Sequence, residues 1–293
     1  MKLSVVIPTH NRSEVLKECL KRLLAQKDVD FEIVVVDDGS VDDTKDVFAS
    51  ADFSTAVEKT QLRYIYQTAS HQGVARNNGV LEANGEVIVF IGDDIFVEPG
   101  FLKHHHDVHI NNPGENVVVL GHTTWDPSLE INDYMKFLES SGWQFGYHLL
   151  EQGLVTHLEP FKFFYTSNIS IKRSMLQKEK FSDKFQGYGW EDIELGYRLF
   201  DIWKMELYYE PNAKGLHHHV ILESDLPKRM NQVGKAAVNF QKIQTGVSVV
   251  PSFFKQMLIT VIGIFTPILK LLNKNLYYKV RSWKEFMKGV NNL

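Results

Sequence analysis

Hydrophobic and polar positions switch repeatedly between two periods along the first hundred residues. Val5-Val6-Ile7 is a short unbroken apolar run ended by Pro8, the pattern of a buried strand. Val15, Leu16, Leu20, Leu23 and Leu24 then fall at helical spacing, which predicts a helix from Ser13, as N-cap, to about Gln26. Phe31 to Val36 predicts a second strand, Leu62 to Tyr66 a third and Val87 to Ile91 a fourth. Gly73 to Ala83 reads as a helix stopped by Asn84-Gly85, and Ser40 and Asp43 have the spacing of a capping box. Strands alternating with helices predict an α/β fold with a mixed, mainly parallel sheet covered on both faces. Past Pro99 the pattern loosens. Val117 to Leu120 predicts a strand, Ile131 to Leu138 a helix, Phe161 to Ile171 an aromatic β-prone stretch and Glu191 to Phe200 a helix. No internal repeat or low-complexity linker interrupts the chain.

Composition narrows this picture. The chain has 293 residues, 44% hydrophobic and 23% charged, which excludes collagen-like and wholly disordered classes. A formal net charge of -4 gives no reason to expect a nucleic-acid partner. Cys19, the one cysteine, excludes an intramolecular disulfide and fits a reducing compartment. Its place beside the first helix's apolar stripe predicts a buried structural thiol. The apolar run near Met1 is too short for a signal-peptide core, so secretion is not expected. Charge is unevenly placed: from Phe253 to Leu293 seven basic residues face one acidic residue, Glu285. The preceding body is strongly acidic.

In parallel sheets ligands bind beyond the carboxyl ends of the strands, and polar residues gather there. Thr9, Asn11 and Arg12 follow the first strand, Asp37 and Asp38 the second, Asp93 and Asp94 the fourth. The Asp93-Asp94 pair suits a hard divalent cation completed by water and phosphate oxygens, or else a solvated turn. Asp37-Asp38 offers a carboxylate for a pyrimidine imide N–H, or a turn with a helix cap. Neither G-x-G-x-x-G nor G-x-x-x-x-G-K-[ST] occurs, which removes most support for dinucleotide and P-loop readings. Glu191, Asp192 and Glu194 open the late helix, either as dipole compensation or as a general base kept ionised by the helix N-terminus. On a strand, His217 and His219 share one face and His218 points away. His104-His105-His106, on the same predicted helix as His109, reads as a solvated helix face.

Taken together these segments resemble the family 2 glycosyltransferases of GT-A fold. Val5-Val6-Ile7-Pro8-Thr9-His10-Asn11-Arg12 looks like that family's V-x-I-P-x-x-N-R. Val34-Val35-Val36-Asp37-Asp38-Gly39-Ser40, with Asp43-Thr44, looks like V-D-D-G-S-x-D-x-T. Gly73-Val74-Ala75-Arg76-Asn77-Asn78-Gly79 is similar to an abbreviated G-x-x-x-A-R-N-x-G, and Tyr188-Gly189-Trp190-Glu191-Asp192 to the late E-D motif. Phe90-Ile91-Gly92-Asp93-Asp94-Ile95 stands where the family has D-x-D, with Gly92 at a position that is commonly acidic.

The resemblance implies an inverting, metal-dependent hexosyl transfer from a UDP- or dTDP-sugar to a glycan or lipid-linked acceptor hydroxyl, as in polysaccharide biosynthesis. It implies Pro8, Thr9, Asn11 and Arg12 around the nucleotide, Asp38 on the uracil or thymine imide and Arg76 near the diphosphate or sugar. Asp93 then contacts ribose or sugar, Asp94 binds Mn²⁺ or Mg²⁺, and Asp192, beside Glu191, is the catalytic base. His217 or His219 is expected to complete the metal site. The alternatives are a nucleotidyltransferase and a catalytically inactive nucleotide-sugar-binding module. On this reading residues 1–98 form the nucleotide-sugar-binding half, 99–225 the acceptor-binding and catalytic half of one domain, and 226–293 a helical, basic and apolar tail.

The tail carries thirteen uncharged residues, Met257 to Leu269, interrupted by Gly263 and Pro267. A spanning helix needs about 20. An interfacial segment is therefore expected, docking a cytoplasmic enzyme on the anionic inner face of a membrane. The other reading packs the segment on the catalytic domain or into a homodimer interface.

Overall fold

The computed structural model describes residues 1–156, 158–185, 187–264 and 266–291. Its strands are β1 (Leu3–Thr9), β2 (Phe31–Asp38), β3 (Leu62–Gln67), β4 (Val87–Ile91), β5 (Ile95–Val97), β6 (Val117–Trp125), β7 (Gly153–Leu154), β8 (Asn168–Lys172) and β9 (Glu206–His217). Its helices are α1 (Ser13–Leu24), α2 (Thr44–Val47), α3 (Ser54–Glu58), α4 (Gln72–Glu82), α5 (Phe101–Asn111), α6 (Asp133–Ser141), α7 (Arg173–Lys178), α8 (Glu191–Trp203), α9 (Leu226–Ile243), α10 (Phe253–Gly263), α11 (Thr266–Leu272) and α12 (Lys274–Asn291). One mixed sheet runs β3-β2-β1-β4-β8-β6-β9-β5, with β7 added on β9. The first four strands are mutually parallel. β8 enters antiparallel between β4 and β6, β6 and β9 are parallel, and β5 and β7 run antiparallel to β9.

Successive residues of the same strands supply two cores. Val6, Val34, Val36, Ile88 and Phe90 face one side, with Leu195 and Leu199 of α8 in the same cluster. Val5, Ile7, Ile33, Val35 and Val89 face the other, with Leu16, Leu20 and Leu23 of α1. Cys19 is fully buried in this second core, its thiol donating to the Ile95 carbonyl at 3.4 Å, as a structural thiol should. The order reverses between β1 and β4, where the chain returns from β3, and this opens a crevice beyond their carboxyl ends.

Local expectations are corrected at several points. β1 continues through Pro8 to Thr9, because β4 pairs with β1 only as far as Val6 opposite Phe90. Pro8 lies beyond that ladder and opposes Val36 of β2, so its missing N–H costs little. Ser13 opens α1 without capping it, and the Ser13 N–H donates instead to Asp42 at 3.1 Å. Ser40 is no cap either: its hydroxyl accepts from the Asn11 N–H at 2.8 Å, while Asp42 takes the Thr44 N–H at 3.1 Å. These bonds tie the loops after β1 and β2 together. Of the stretch 161–171 only its end is strand, since Pro160 opens a 3₁₀ turn to Phe163 that packs its rings into the core.

The solvated face expected at 104–106 holds for His104 and His106, which are partly exposed, but not for His105. His105 and His109 are buried, and His105 lies 2.9 Å from both Ser170 and Asn168 while His109 lies 3.0 Å from Ser170. Burial pushes both imidazoles down, to about 4 and about 3, which keeps them neutral.

The tail divides in two. α12 crosses α9 at backbone contact: a Cβ at Gly234 would meet the Phe286 carbonyl oxygen at 2.1 Å, and one at Gly289 the Asn231 carbonyl oxygen at 2.1 Å. Tyr277, Tyr278, Phe286 and Met287 are buried. Glu223 fastens the tail, accepting from Tyr277 at 2.8 Å, Tyr278 at 3.1 Å, Arg281 at 2.8 Å and Lys270 at 3.1 Å. α10 and α11 instead turn apolar side chains outward, with Phe253 82%, Ile264 72% and Leu271 89% exposed. Phe265, inside the apolar run, lies outside the described residues. No single described helix is long and apolar enough to cross a membrane; α10 and α11 together reach that length and composition with a 70° bend between them.

Candidate active site

A cavity of about 630 Å³ opens at the carboxyl ends of β1, β2 and β4. Pro8, Thr9, Arg12, Asp38, Arg76, Asp93, Asp94, Glu191, Asp192, His217 and His219 all line it, so one space collects the sequence's candidates from six segments. Asn11 does not line it. Its φ of 52° turns it away, and its side chain accepts from the Val41 N–H at 2.7 Å, completing the tie between loops.

The aspartate pair is held by its neighbours. Thr9 donates to Asp93 at 2.7 Å. One Arg12 nitrogen donates to Asp93 at 3.0 Å and to Asp94 at 2.6 Å. Arg12 is thus a counter-ion across both carboxylates, rather than a free nucleotide contact. His217 Nε2 approaches Asp94 to 3.4 Å from the end of β9, and His219 stacks behind it at 5.8 Å between ring centroids. His218 turns away to Asp126 at 2.8 Å, as strand alternation requires. Burial and the adjacent Asp94 push the Asp93 carboxyl up. Burial acts the same way on Asp94, but the bonds from His217 and Arg12 outweigh it and hold that carboxyl well below the usual range.

The second strand's aspartates divide their labour. Asp37 is buried and accepts from the Ser40 N–H at 2.8 Å and Tyr64 at 2.7 Å. Asp38 faces the cavity. Its Oδ1 accepts from Gln67 and the Ser70 N–H, both at 2.7 Å, and its Oδ2 accepts from the His71 N–H at 3.0 Å. Oδ2 keeps one lone pair for a ligand.

Opposite stands the start of α8. Gly189 and Trp190 adopt φ of 98° and 70°. A left-handed tryptophan is strained, of order 1–3 kcal/mol, and such strain gathers at functional sites. The turn sets Glu191 and Asp192 against the cavity. Glu191 pairs with the buried Arg76 at 3.6 Å and accepts from Gln72. Asp192 accepts from the Ile193 N–H at 2.9 Å. Burial, then the charge of Glu191, pushes its carboxyl up to about 7. The expected ionisation by the helix N-terminus is therefore outweighed by burial. Glu194 pairs with Arg198 at 2.8 Å and accepts from Gln244 at 2.8 Å, a structural use.

Sequence reasoning missed the rest of this wall: Trp143, Gln144 and Phe145, Tyr165 to Ser167, and Arg229 with Val233 of α9. No local pattern marks them. Val233 follows Arg229 by one helical turn, but that spacing is common on any amphipathic helix.

The Glycosyl transferase family 2 model matches residues 4–178, and the chain belongs to that family. The chain is 30% identical over 220 residues to validoxylamine A glucosyltransferase of Streptomyces hygroscopicus subsp. jinggangensis, covering 67% of this chain and 51% of that protein. It spans about half the length of that relative. The fold is that of GT-A transferases. The crystal structure of S. aureus TarS 1-349 in complex with UDP superposes with a TM-score of 0.58 at 16% identity, over 100% of this chain and 91% of that one. The mannosyltransferase PcManGT from Pyrobaculum calidifontis, in complex with GDP-Man and Mn²⁺, gives 0.61 at 14% identity, over 97% and 86%.

Proposed function

We propose that the protein transfers a hexosyl group from a UDP- or dTDP-sugar to a hydroxyl of a glycan or lipid-linked acceptor, inverting the anomeric centre. The observation that carries this reading is the convergence on one cavity of the Asp93-Asp94 pair and the half-buried Asp192. Asp38, with its remaining lone pair, suits the imide N–H of uracil or thymine. Two neighbours of this fold bind different nucleotides, so the base preference rests on Asp38 alone.

Asp94 and His217 offer one oxygen and one nitrogen donor 3.4 Å apart, and the His217 Nδ1 is buried without a partner. No group of three or more His, Cys, Asp or Glu among the described residues forms a metal site by itself. Two protein donors with substrate oxygens are the usual provision for Mg²⁺-type ions, and the imidazole favours Mn²⁺. Bound there, the cation would neutralise charge on the departing diphosphate. Arg12 offsets part of the charge of the two aspartates. Asp192, with a proton affinity matched to neutral pH, accepts the acceptor hydroxyl's proton as the oxygen attacks the anomeric carbon. The nucleoside diphosphate leaves from the opposite face, and no covalent intermediate on the protein is needed.

The test is a donor screen for free nucleoside diphosphate, paired with calorimetry of UDP with and without Mn²⁺. Release of UDP from UDP-sugars supports the reading. Release of pyrophosphate from a nucleoside triphosphate and sugar phosphate points to a nucleotidyltransferase.

The outward apolar faces of α10 and α11 support a docking of the protein on a membrane that carries the acceptor. Their outward apolar side chains form the kind of patch that marks an interaction site. Lys255 beside Trp283 and Lys284 beside Gly263 flank the patch with no carboxylate partner among the described residues, while Lys270 and Lys274 are taken by Glu223 and Asp133. A bent, apolar, cation-flanked pair suits the interface of an anionic bilayer on the cytoplasmic side. Full-length protein should co-sediment with phosphatidylglycerol vesicles, and the triple variant Phe253→Ser, Phe254→Ser, Leu271→Ser should stay in the supernatant. Recovery of both in the supernatant, or a homodimer that the triple variant converts to monomer, sinks the membrane role.

A further inference from the structure

Three arginines line the cavity, and two are committed to carboxylates. Arg12 bridges Asp93 and Asp94, and Arg76 pairs with Glu191. Arg229 differs. Among the described residues it has no carboxylate partner, and its one hydrogen bond runs to the neutral amide of Gln144. Its guanidinium lies over the Tyr188 ring, 4.9 Å from the centroid, and its Nε is buried with no acceptor. A buried N–H without a partner costs about 1–3 kcal/mol unless a ligand supplies one. The ring fixes the guanidinium plane, so the fork is held ready at little further entropic cost.

We infer that Arg229 binds a phosphoryl group of the substrate. The inference rests on the reading of the cavity as a nucleotide-sugar site and adds the residue that meets the anion from its far wall. The planar fork matches phosphate oxygens in paired hydrogen bonds, and Arg229 is the cavity arginine that no carboxylate pairs among the described residues. Position supports this. Arg229 lies on α9 one turn before Val233, which also lines the cavity, and Tyr188 immediately precedes the turn carrying Glu191 and Asp192. An anion seated there lies beside the proposed base, where the donor's diphosphate and a phosphate on the acceptor both have reason to be.

Calorimetry on full-length wild type, Arg229→Gln and Arg229→Lys separates the two sources. If the donor's diphosphate is the ligand, Arg229→Gln weakens UDP roughly tenfold or more, uridine is unaffected, and Arg229→Lys is intermediate. If the acceptor's phosphate is the ligand, UDP affinity is unchanged, glycerol phosphate binds the UDP-saturated wild type, and Arg229→Gln abolishes that second binding. Equal binding of both ligands by wild type and Arg229→Gln overturns the inference. So does a loss of uridine binding in step with UDP, which marks a merely structural residue. A wild type that binds no UDP overturns the reading of the reaction instead. Arg229 is then read with inorganic pyrophosphate, which binds wild type and not Arg229→Gln if the inference holds.

Discussion

The two walls of the cavity are built on opposite principles. On the near wall, at the ends of β1, β2 and β4, nearly every polar side chain is already engaged. Thr9 and Arg12 hold the aspartate pair, and three donors hold Asp38. On the far wall, polar atoms are buried without partners among the described residues: one oxygen of Glu191, the Ser167 hydroxyl and Nε of Arg229. Buried polar groups in native proteins are nearly all satisfied, so an orphan set lining one cavity is a set awaiting a ligand. On the proposed reading the near wall is pre-organised for a constant part of the substrate. The far wall holds unspent hydrogen-bonding capacity and a carboxylate raised toward neutrality, which suits the reacting end.

The comparison breaks most sharply at Asp192. Asp192→Asn keeps shape and removes the base, so turnover should fall by on the order of 10² to 10⁴ while UDP affinity is unchanged. Full turnover would remove Asp192 from the reaction. Asp94→Ala should do the reverse. The increment that Mn²⁺ adds to UDP affinity, measured by calorimetry, should vanish. A variant that keeps this increment shows that the cation is not held at Asp94.

The same contrast explains what the sequence disclosed. The near wall follows short parallel strands, and each strand's end fixes where its next residues must lie. Asp38 and Asp94 were therefore placed in one crevice from alternation and motif alone. What alternation does not carry is the partner of each group. That Arg12 spans the aspartates, and that Ser40 serves the β1 loop rather than a helix, depends on loops from distant segments. The far wall is assembled from a turn after α6, the residues that follow a 3₁₀ segment and a helix beyond residue 225, and no local pattern in any of them marks the cavity-facing side chains. His105 misleads for a related reason. Polar residues on a helix read as solvated unless buried acceptors wait on another strand, and here Ser170 and Asn168 do. In the tail, the apolar run was legible but its division was not, because the α9–α12 crossing depends on two glycines far apart in sequence.

That crossing also holds the far wall in place, since α9 carries Arg229 and Val233. Gly234→Ala puts a methyl group into the Phe286 backbone and should cost about 1–3 kcal/mol by overpacking. Thermal unfolding should shift down by a few degrees. Because the near wall is carried by β1, β2 and β4 and not by this helix, uridine affinity at 25 °C should be unchanged. An unaltered melting temperature would mean that the two helices do not pack this closely.

The smallest effect tests what raises Asp192. The base must be deprotonated to accept a proton, so kcat/KM should rise with pH, increasing about tenfold per unit below the folded pKa near 7 and levelling above it. Burial is the larger cause and Glu191 the second. Glu191→Gln leaves burial in place, keeps an oxygen for Gln72 and Arg76, and removes the adjacent negative charge. The Arg76 guanidinium, then uncancelled, favours the Asp192 carboxylate further. Both changes act in one direction, so the acid limb should move to lower pH, with plateau activity changed far less than in Asp192→Asn. A limb that stays in place means that burial alone sets the proton affinity. A limb that moves to higher pH contradicts the ion-pair geometry of the far wall, because no arrangement with Arg76 unpaired beside Asp192 raises a carboxyl.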